Sequence, residues 1–332
     1  MFFPIINDPH TARVQWIDAA KGVGIILVVI GHTLRGLESA NILSFSGEFG
    51  RIDTAIYAFH MPLMFILSGL FIHKALPQGW FDYTIKHAQR LIWPLVLWTY
   101  IFFISKIFAG GAANTPIGWD NFPFFPLPPQ VHFWFLWALF LGFLIIKVIS
   151  TLSSAVKVKS ISWPAVMIVV LLLVVIWLKS GFYSVWIQQA LVYLPLILTG
   201  MSVRLLLLTA PHYVLIGSAI LTCFTVFAPL SHIDSAYYYG VAIGVSTTII
   251  SVIALLARYI SYAWLMVIGQ ASMAIFLSHT IVSALVRAVL ISIDIRNIAL
   301  HMVLGVASGV IIPLIAFIII RKNERALKVV GW

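Results

Sequence analysis

The sequence predicts an all-α, polytopic integral membrane bundle of about ten transmembrane helices, and three observations support that fold class. Of its 332 residues, 62% are hydrophobic and 9% are charged, whereas a soluble domain carries about 25% charged residues. The apolar residues form runs of about the length that a helix needs to cross a bilayer. These runs lack the alternation of barrel strands, and the backbone polar groups of a lipid-embedded segment must be satisfied internally. The helix is therefore the expected spanning element.

Ten apolar segments follow one another with no linker long enough to separate domains, so we expect a single membrane domain over residues 1–332. The fifth segment is short for a span and the ninth is long. The first carries ionisable residues and no small-residue cleavage site follows it, so we expect a retained helix and not a signal peptide. The approximate ranges are 17–35, 53–73, 88–108, 132–150, 162–178, 187–207, 211–230, 236–257, 262–288 and 297–320.

The distribution of lysine and arginine predicts the orientation of these segments. With the N-terminus inside, fourteen basic residues flank the cytoplasmic ends and six flank the opposite ends, which favours both termini in the cytoplasm. The cytoplasmic set is Arg13, Lys21, Lys74, Lys86, Arg90, Lys147, Lys157, Lys159, Arg204, Arg258, Arg321, Lys322, Arg325 and Lys328, and the opposite set is Arg35, Arg51, Lys106, Lys179, Arg287 and Arg296.

The formal net charge of +10 follows from this topology, because the basic residues are scattered between apolar runs and form no stripe that would bind nucleic acid. Nucleic acid is therefore not an expected partner. Cys223 is the single cysteine, so no intramolecular disulfide can form. The sequence also has no Walker loop, no dinucleotide-binding fingerprint and no internal repeat.

The first segment places an acid, an ammonium and an imidazole in an apolar helix. Lys21 and His32 are eleven residues apart, which returns them to nearly the same face, roughly 16 Å apart along the helix axis. Ionisable groups at such depth are costly and usually face a functional polar cavity. Asp18 precedes Lys21 by three residues and can pair with it. The alternatives are a cationic stop at the membrane edge for Lys21 and a satisfied core histidine for His32.

Further polar residues lie in the second and ninth segments. His60 and Ser68 are eight residues apart on roughly one helix face, and Asp53 lies seven residues before His60. Ser68 precedes a glycine, a pairing that permits close helix packing in membranes, so purely structural roles stay open for Ser68 and His60. His279 lies deep in the ninth segment. The histidines have no short ligand spacing, so no metal site is predicted.

Five motifs occur in order along nearly the whole chain: WIDAAKGVGIILVVIGH at 16–32, FHMPLMFILSGLFIHK at 59–74, RLIWPLVLW at 90–98, HFWFLWALF at 132–140 and GQASMAIFLSH at 269–279. Together they resemble the membrane-bound acyltransferase-3 family, especially its fucose-O-acetylase-like branch. The first helix of that family carries a basic residue, ten intervening residues and a histidine, which Lys21 and His32 match with lysine in place of the usual arginine. In the last motif, Phe276 replaces a tyrosine of the family pattern.

The resemblance implies transfer of an acyl group, usually acetyl from acetyl-CoA, to a hydroxyl of a cell-surface or secreted polysaccharide or its lipid-linked precursor. It implies a bacterial inner-membrane enzyme with acyl-CoA as donor substrate and no permanently bound cofactor. A hydroxyl is a poor nucleophile near pH 7, so a general base must accept its proton, and histidine has a suitable pKa. We expect His32 to be this base, with Lys21 neutralising developing charge or orienting the donor.

The remaining polar residues take supporting places in this scheme. Ser68 can donate a hydrogen bond to the acyl carbonyl, and His279 is a rival base or an orienting partner. CoA phosphates require a basic cytoplasmic mouth, which the loop between the second and third segments supplies. The family often has two arginines three apart here, where this chain has a histidine and an arginine. The expected donor-binding residues are Lys74, Lys86, His87 and Arg90, and ordinary flanking charge is an equally open interpretation for Lys74 and Lys86.

A transporter or flippase of a lipid-linked sugar is the alternative function, because intramembrane ionisable residues suit it equally well. It predicts discontinuous helices at corresponding positions of two halves, and no such pair stands out in the sequence. A non-enzymatic scaffold gives no reason for Lys21 and His32 to share a buried face. The ordered motifs therefore favour the enzyme, with membrane lipids as its surroundings and the oligomeric state left open.

Overall fold

The computed structural model describes residues 15–129, 131–155, 162–181, 184–227, 234–257, 259–260 and 262–332. The end of the predicted segment 211–230 lies outside these described residues. So do four basic residues of the orientation count, namely Arg13, Lys157, Lys159 and Arg258.

The described residues form helices and no strands, which confirms the predicted all-α fold class. Helix α6 begins with Trp-Pro, a position where the missing proline N–H costs no intrahelical bond. The helices are α1 Gln15–Ser39, α2 Glu48–Ile72, α3 Trp80–His87, a π-helix at Ala88–Ile92, α4 Trp93–Ala109, α5 Trp134–Ala155, α6 Trp163–Lys179, α7 Gln188–Thr209, α8 Pro211–Phe227, α9 Asp234–Leu256, α10 Ala263–Gln270, α11 Ser272–Ser292, α12 Ile298–Ile320 and α13 Glu324–Val330.

Eight helical stretches in the described part of the chain are long and apolar enough to cross a membrane. They are α1, α2, the continuous stretch Trp80–Ala112, α5, α7, the Tyr237–Leu256 part of α9, α11 and α12. The fifth and seventh predicted segments form α6 and α8, which are apolar helices of 17 residues each. The chain is thus a multi-pass membrane bundle.

The long ninth segment differs from the single span predicted for it. It contains two helices, α10 and α11, separated at Ala271, where φ is −86° and ψ is 6°. These angles lie in the sparsely populated bridge region, outside the α-helical well. Backbone hydrogen bonds still cross the break, from the Ala271 N–H to the Val267 carbonyl at 3.2 Å and from the Ile275 N–H to the Ala271 carbonyl at 3.0 Å.

Helix α10, which precedes this break, makes a backbone-to-backbone contact with α1. A Cβ on Gly269 would overlap the Asp18 carbonyl oxygen, and a Cβ on Gly22 would overlap the Leu265 carbonyl oxygen. Lipid tails provide no hydrophobic force between helices, so small residues that admit close backbone approach stabilise such pairs. Helix α10 therefore follows α1 closely.

A second close contact joins α2 to α7 at the centre of the bundle. A Cβ on Gly69 would overlap the Ile197 carbonyl oxygen, and one on Gly200 would overlap the Ile66 carbonyl oxygen. Phe65 beside this contact is fully buried. The core thus lies between α1, α2, α5 and α7, and much of the surface of α12 is exposed apolar side chains.

The C-terminal helix α13 docks against the beginning of α4. The Trp93 indole N–H donates to the Val329 carbonyl at 3.0 Å, and that of Trp98 donates to the Val330 carbonyl at 2.8 Å. The Trp98 and Trp332 rings stack with their centroids 6.1 Å apart. This contact places residues 324–332 at the same end of the bundle as the π-helix.

Substituting Gly269→Ala should lower the stability of the bundle, because the new methyl group cannot fit against the Asp18 carbonyl. We expect a loss of about 1–3 kcal/mol, the usual cost of overpacking, measured as a lower thermal unfolding midpoint in detergent. The control is Gly217→Ala in α8, where a Cβ would meet nothing within 4 Å. That variant should be unchanged or slightly more stable, since alanine favours a helix. A Gly269→Ala protein as stable as wild type would show that α1 and α10 can separate without cost.

Candidate active site

A cavity of about 550 Å³ opens between α1, α2, α3, the π-helix, α5 and α11. Its walls combine aromatic side chains from three helices with a set of basic and hydroxyl groups. The aromatic residues are Phe71, Phe135, Phe143 and Phe276, and the polar ones include Lys21, Ser68, Lys74, Lys86, His87 and Arg90. Six of the ten residues predicted for the site therefore line one cavity, although they come from four helices and the loop after α2.

The exposed rim of this cavity is basic, and part of it is formed by the π-helix Ala88–Ile92. In it, the Trp93 N–H donates to the Ala88 carbonyl, five residues back, and Pro94 has no N–H to give the Arg90 carbonyl. Such single-turn widenings recur at functional sites. Lys86 and Arg90 are both exposed and line the cavity.

His87 is a buried wall residue and not part of the exposed rim. Its Nδ1–H donates to the Tyr83 carbonyl at 2.7 Å, since a carbonyl can only accept. Its ring packs against those of Tyr83 and Phe143, with centroids at 4.3 and 5.1 Å. It thus fixes the angle between α3 and α5 while one face of the ring borders the cavity.

Lys147 of α5 holds the loop that carries Lys74. Its Nζ donates to the Leu76 and Gln78 carbonyls at 2.6 and 2.7 Å, and its ammonium lies 5.5 Å from the centre of the Tyr83 ring. The side chain is buried. The sequence placed Lys147 only among the charges that flank the apolar segments. Its position within an otherwise apolar helix was the feature that could have indicated a buried role.

Asp18 and Lys21 form the predicted pair on the first turns of α1. Lys21 Nζ lies 3.9 Å from Asp18 Oδ1, and the Asp18 side chain is 6% exposed against 34% for Lys21. The carboxylate is therefore held inside the bundle beside α10, while the ammonium reaches the cavity. Ser68, on the facing helix, donates its hydroxyl proton to the Met64 carbonyl at 2.8 Å.

Three histidine rings meet in the interior of the bundle, deeper than the cavity. The His32 centroid lies 5.2 Å from that of His279 and 5.5 Å from that of His132, and the last two are 5.5 Å apart. We call these three residues the histidine cluster. His132 was not predicted as a site residue. It opens the HFWFLW motif, and nothing in its spacing indicates that the chain folds it back against α1 and α11.

The hydrogen bonds of His279 fix which nitrogen carries its proton. Its Nδ1–H donates to the Ile275 and Phe276 carbonyls at 2.8 and 2.9 Å, so Nε2 carries the lone pair in the neutral ring. Nε2 of His279 and Nε2 of His132 are buried without a hydrogen-bond partner among the described residues. Buried polar atoms are nearly always paired, so the cluster offers two unpaired ring nitrogens to a reacting partner.

His60 lies outside the histidine cluster. Its Nδ1–H donates to the Ile56 carbonyl at 2.7 Å, and its ring meets the Tyr57 ring edge-on at 4.5 Å. Tyr57 in turn lies 6.3 Å from His32. Tyr57 thus lies beside both His60 and the cluster residue His32, and the hydrogen bond of His60 to its own helix suits the structural interpretation left open for it.

Asp53 pairs with a residue that sequence reasoning did not connect to it. The Arg35 guanidinium makes two hydrogen bonds of 3.0 Å to the Asp53 carboxylate and lies 3.2 Å over the Tyr57 ring. This bidentate pair ties α1 to α2 one turn beyond His32. It fixes the Tyr57 ring, which borders both His32 and His60.

The cavity and the histidine cluster are separate spaces. Lys21 lines the cavity, but the lining found among the described residues does not include His32. The sequence led us to expect one cavity for both residues, and the structure does not place them in one. The Phe276 ring stands between them, with its centroid 5.6 Å from that of His132 and 6.4 Å from that of His279. Within the part of the chain that the structure describes, no group of three His, Cys, Asp or Glu residues is placed to hold a metal ion.

Comparison with known proteins identifies the family of this chain. The acyltransferase-domain profile of the acyltransferase-3 family matches residues 14–321. The chain belongs to the acyltransferase-3 family. This membership favours the enzyme over the transporter alternative.

Two curated relatives are similar over part of the chain. They are the nodulation proteins NolL of Mesorhizobium japonicum and Sinorhizobium fredii. The first is 31% identical over 139 residues, which is 40% of this chain and 35% of the relative. The second is 30% identical over 136 residues, which is 39% of this chain and 35% of the relative. The matches thus span about a third of the relatives' length. No solved structure matches the chain.

Thiol labelling should distinguish the cavity wall from the packed core. In a Cys223→Ser background, Ser68→Cys should react with a small charged thiol reagent, because Ser68 is partly exposed and lines the cavity. Ile66→Cys, two residues earlier in the fully buried core, should stay unlabelled, since a thiol buried in apolar surroundings is inert. Mass analysis after timed labelling measures both. A Ser68→Cys variant that stays as unreactive as Ile66→Cys would mean that the cavity is closed to water.

Proposed function

We propose that this member of the family transfers an acyl group, most simply acetyl, from acyl-CoA to a hydroxyl of a polysaccharide or its lipid-linked precursor. The observation that carries the proposal is the juxtaposition of a basic-rimmed cavity with the histidine cluster, separated by one aromatic ring. A CoA thioester has a phosphate-rich end and an apolar arm that ends in the reactive carbonyl. The basic rim, the aromatic walls and the histidine cluster follow one another in that same order.

The rim residues have the chemistry that a CoA donor requires. The exposed Lys74, Lys86 and Arg90 side chains offer cationic donors to phosphate oxygens, which prefer charge-assisted hydrogen bonds. The cavity volume falls in the range of pockets that hold small ligands and cofactors. In this scheme the adenosine phosphates stay at the open rim and the pantetheine arm runs inward past Ser68.

The histidine cluster supplies the base. The acceptor hydroxyl oxygen attacks the thioester carbonyl, the carbon–sulfur bond breaks, and the hydroxyl proton passes through an imidazole to the departing CoA thiolate. His32 is partly exposed while His279 is fully buried, so we assign the base to His32 and the orienting role to His279. Lys21 is left to neutralise charge nearer the donor. The Ser68 hydroxyl already donates to Met64, which competes with the predicted bond to the acyl carbonyl.

We further propose that the enzyme lies in a bacterial inner membrane with both termini in the cytoplasm. The docking of α13 on α4 supports this, because it puts the basic C-terminal residues Arg321 and Lys322 at the same end as Arg90. Cytoplasmic acyl-CoA would then meet the basic rim directly, and positive charge would collect on the cytoplasmic side.

The test of the catalytic assignment is His32→Ala. Loss of a general base typically slows a reaction about 10²–10⁴-fold, so acyl transfer to glycan should fall by that factor while the protein stays folded in the membrane. Gene deletion and complementation, followed by mass analysis of surface and secreted glycans, measure the transferred acyl mass. His212→Ala is the matched control, since this exposed histidine lies in α8 away from the cluster. Undiminished transfer by His32→Ala would remove His32 from the mechanism and favour His279.

The donor site is tested by Arg90→Ala. Losing one phosphate contact at an exposed rim should raise the KM for acetyl-CoA about tenfold, equivalent to about 1.4 kcal/mol. The effect should shrink as salt rises, because exposed charges are screened. Lys322→Ala removes a charge at the same end but outside the cavity lining, and its KM should not change. An unaltered donor KM in Arg90→Ala would mean that the basic residues of the rim only orient the helices in the membrane and do not bind the donor.

A further inference from the structure

We infer that Phe276 sets the length of acyl chain that this enzyme accepts, an inference that rests on the function proposed above. Phe276 is 5% exposed and lies one turn before His279 on α11. It borders the cavity on one side and the rings of His132 and His279 on the other. Any thioester carbonyl that reaches the cluster from the rim must pass this side chain.

The space around Phe276 is closed by other aromatic rings. Its centroid lies 5.5 Å from that of Phe135 and 6.3 Å from that of Phe133, both at edge-on angles, and both residues are buried. Interiors packed in this way leave few voids that could take additional atoms. An acetyl methyl group adds little beyond the carbonyl, but each further methylene must displace one of these rings.

The transfer step explains why this position matters for specificity. The bond that forms joins the acceptor oxygen to the acyl carbon, the bond that breaks joins that carbon to sulfur, and the proton moves from the hydroxyl to the thiolate. The rest of the acyl chain takes no part and must only fit. A closed apolar pocket distinguishes substrates that differ by one methylene about 10–200-fold.

Two other aromatic residues of the cavity, Phe71 and Phe143, lie beside its basic or histidine residues and not beside the histidine cluster. Phe143 packs against His87, and Phe71 lies beneath the ammonium of Lys74 at 5.5 Å. Both would contact the pantetheine arm or the phosphates, which every acyl-CoA shares. Phe143 is therefore a matched control, since it is an aromatic wall residue of the same cavity.

The experiment measures kcat/KM for acetyl-, propionyl- and butyryl-CoA with the full-length protein in membranes. The acceptor is total surface glycan from cells that lack the gene, and the readout is acylated glycan by mass analysis. Wild type should prefer acetyl to butyryl by at least about tenfold, as expected for two added methylenes. Phe276→Ala should lower that ratio at least about tenfold by raising the butyryl rate, and Phe276→Leu should fall between the two.

Phe276→Tyr keeps the ring and should keep the wild-type ratio, and Phe143→Ala should leave the ratio unchanged even if it raises KM for every donor. An unaltered ratio in Phe276→Ala and Phe276→Leu, with transfer intact, would overturn the inference alone. Should the alanine variant fail to fold, the leucine variant decides the question. Wild-type membranes that transfer no acyl group from any of the three donors would overturn the proposed function and this inference with it.

Discussion

The structure depends on a single contact, the approach of α1 and α10 backbone to backbone. Helices in lipid gain little from burying apolar side chains against each other, so close van der Waals packing must stabilise their contacts. Glycines at positions 22 and 269 allow each helix to rest on a carbonyl of the other. Because α1 carries Asp18, Lys21 and His32, this contact sets the depth of the ionisable residues. Helix α11, which begins after the turn at Ala271, places its His279 against His32 of α1.

Elsewhere the bundle satisfies its polar groups locally. Serine and threonine hydroxyls donate to the carbonyl one turn back, as Thr99 and Thr199 do, and buried histidines use their Nδ1–H in the same way. Lys147 reaches two loop carbonyls. Nine buried side-chain atoms of the described residues lack a hydrogen-bond partner, and two of them, the Nε2 atoms of His132 and His279, lie in the histidine cluster. In a medium without water to complete their hydrogen bonds, such atoms are costly, and the cost is understandable where a substrate must bind.

Much of this organisation could be predicted because charged residues are conspicuous in an apolar chain. The spans, the Asp18–Lys21 pair and the basic rim follow from spacing and hydropathy, although the catalytic and binding roles of these residues stay predictions. Contacts between distant elements could not be predicted. His132 sits in a loop far from His32 in sequence, and the pairing of Arg35 with Asp53 depends on how α1 meets α2. The break at Ala271 is also invisible in hydropathy, since both sides of it are equally apolar.

The Phe276 ring has a consequence for the membrane itself. A protein that opens a water-filled cavity from one surface toward its midplane shortens the distance that ions must cross. Hydrophobic constrictions oppose such passage because water withdraws from them, and an ion cannot follow without its hydration shell. Phe276 and the neighbouring Phe133 form a constriction of this kind between the cavity and the deeper histidines. This constriction therefore allows the protein to carry an open cavity on one side without providing a path for ions across the bilayer.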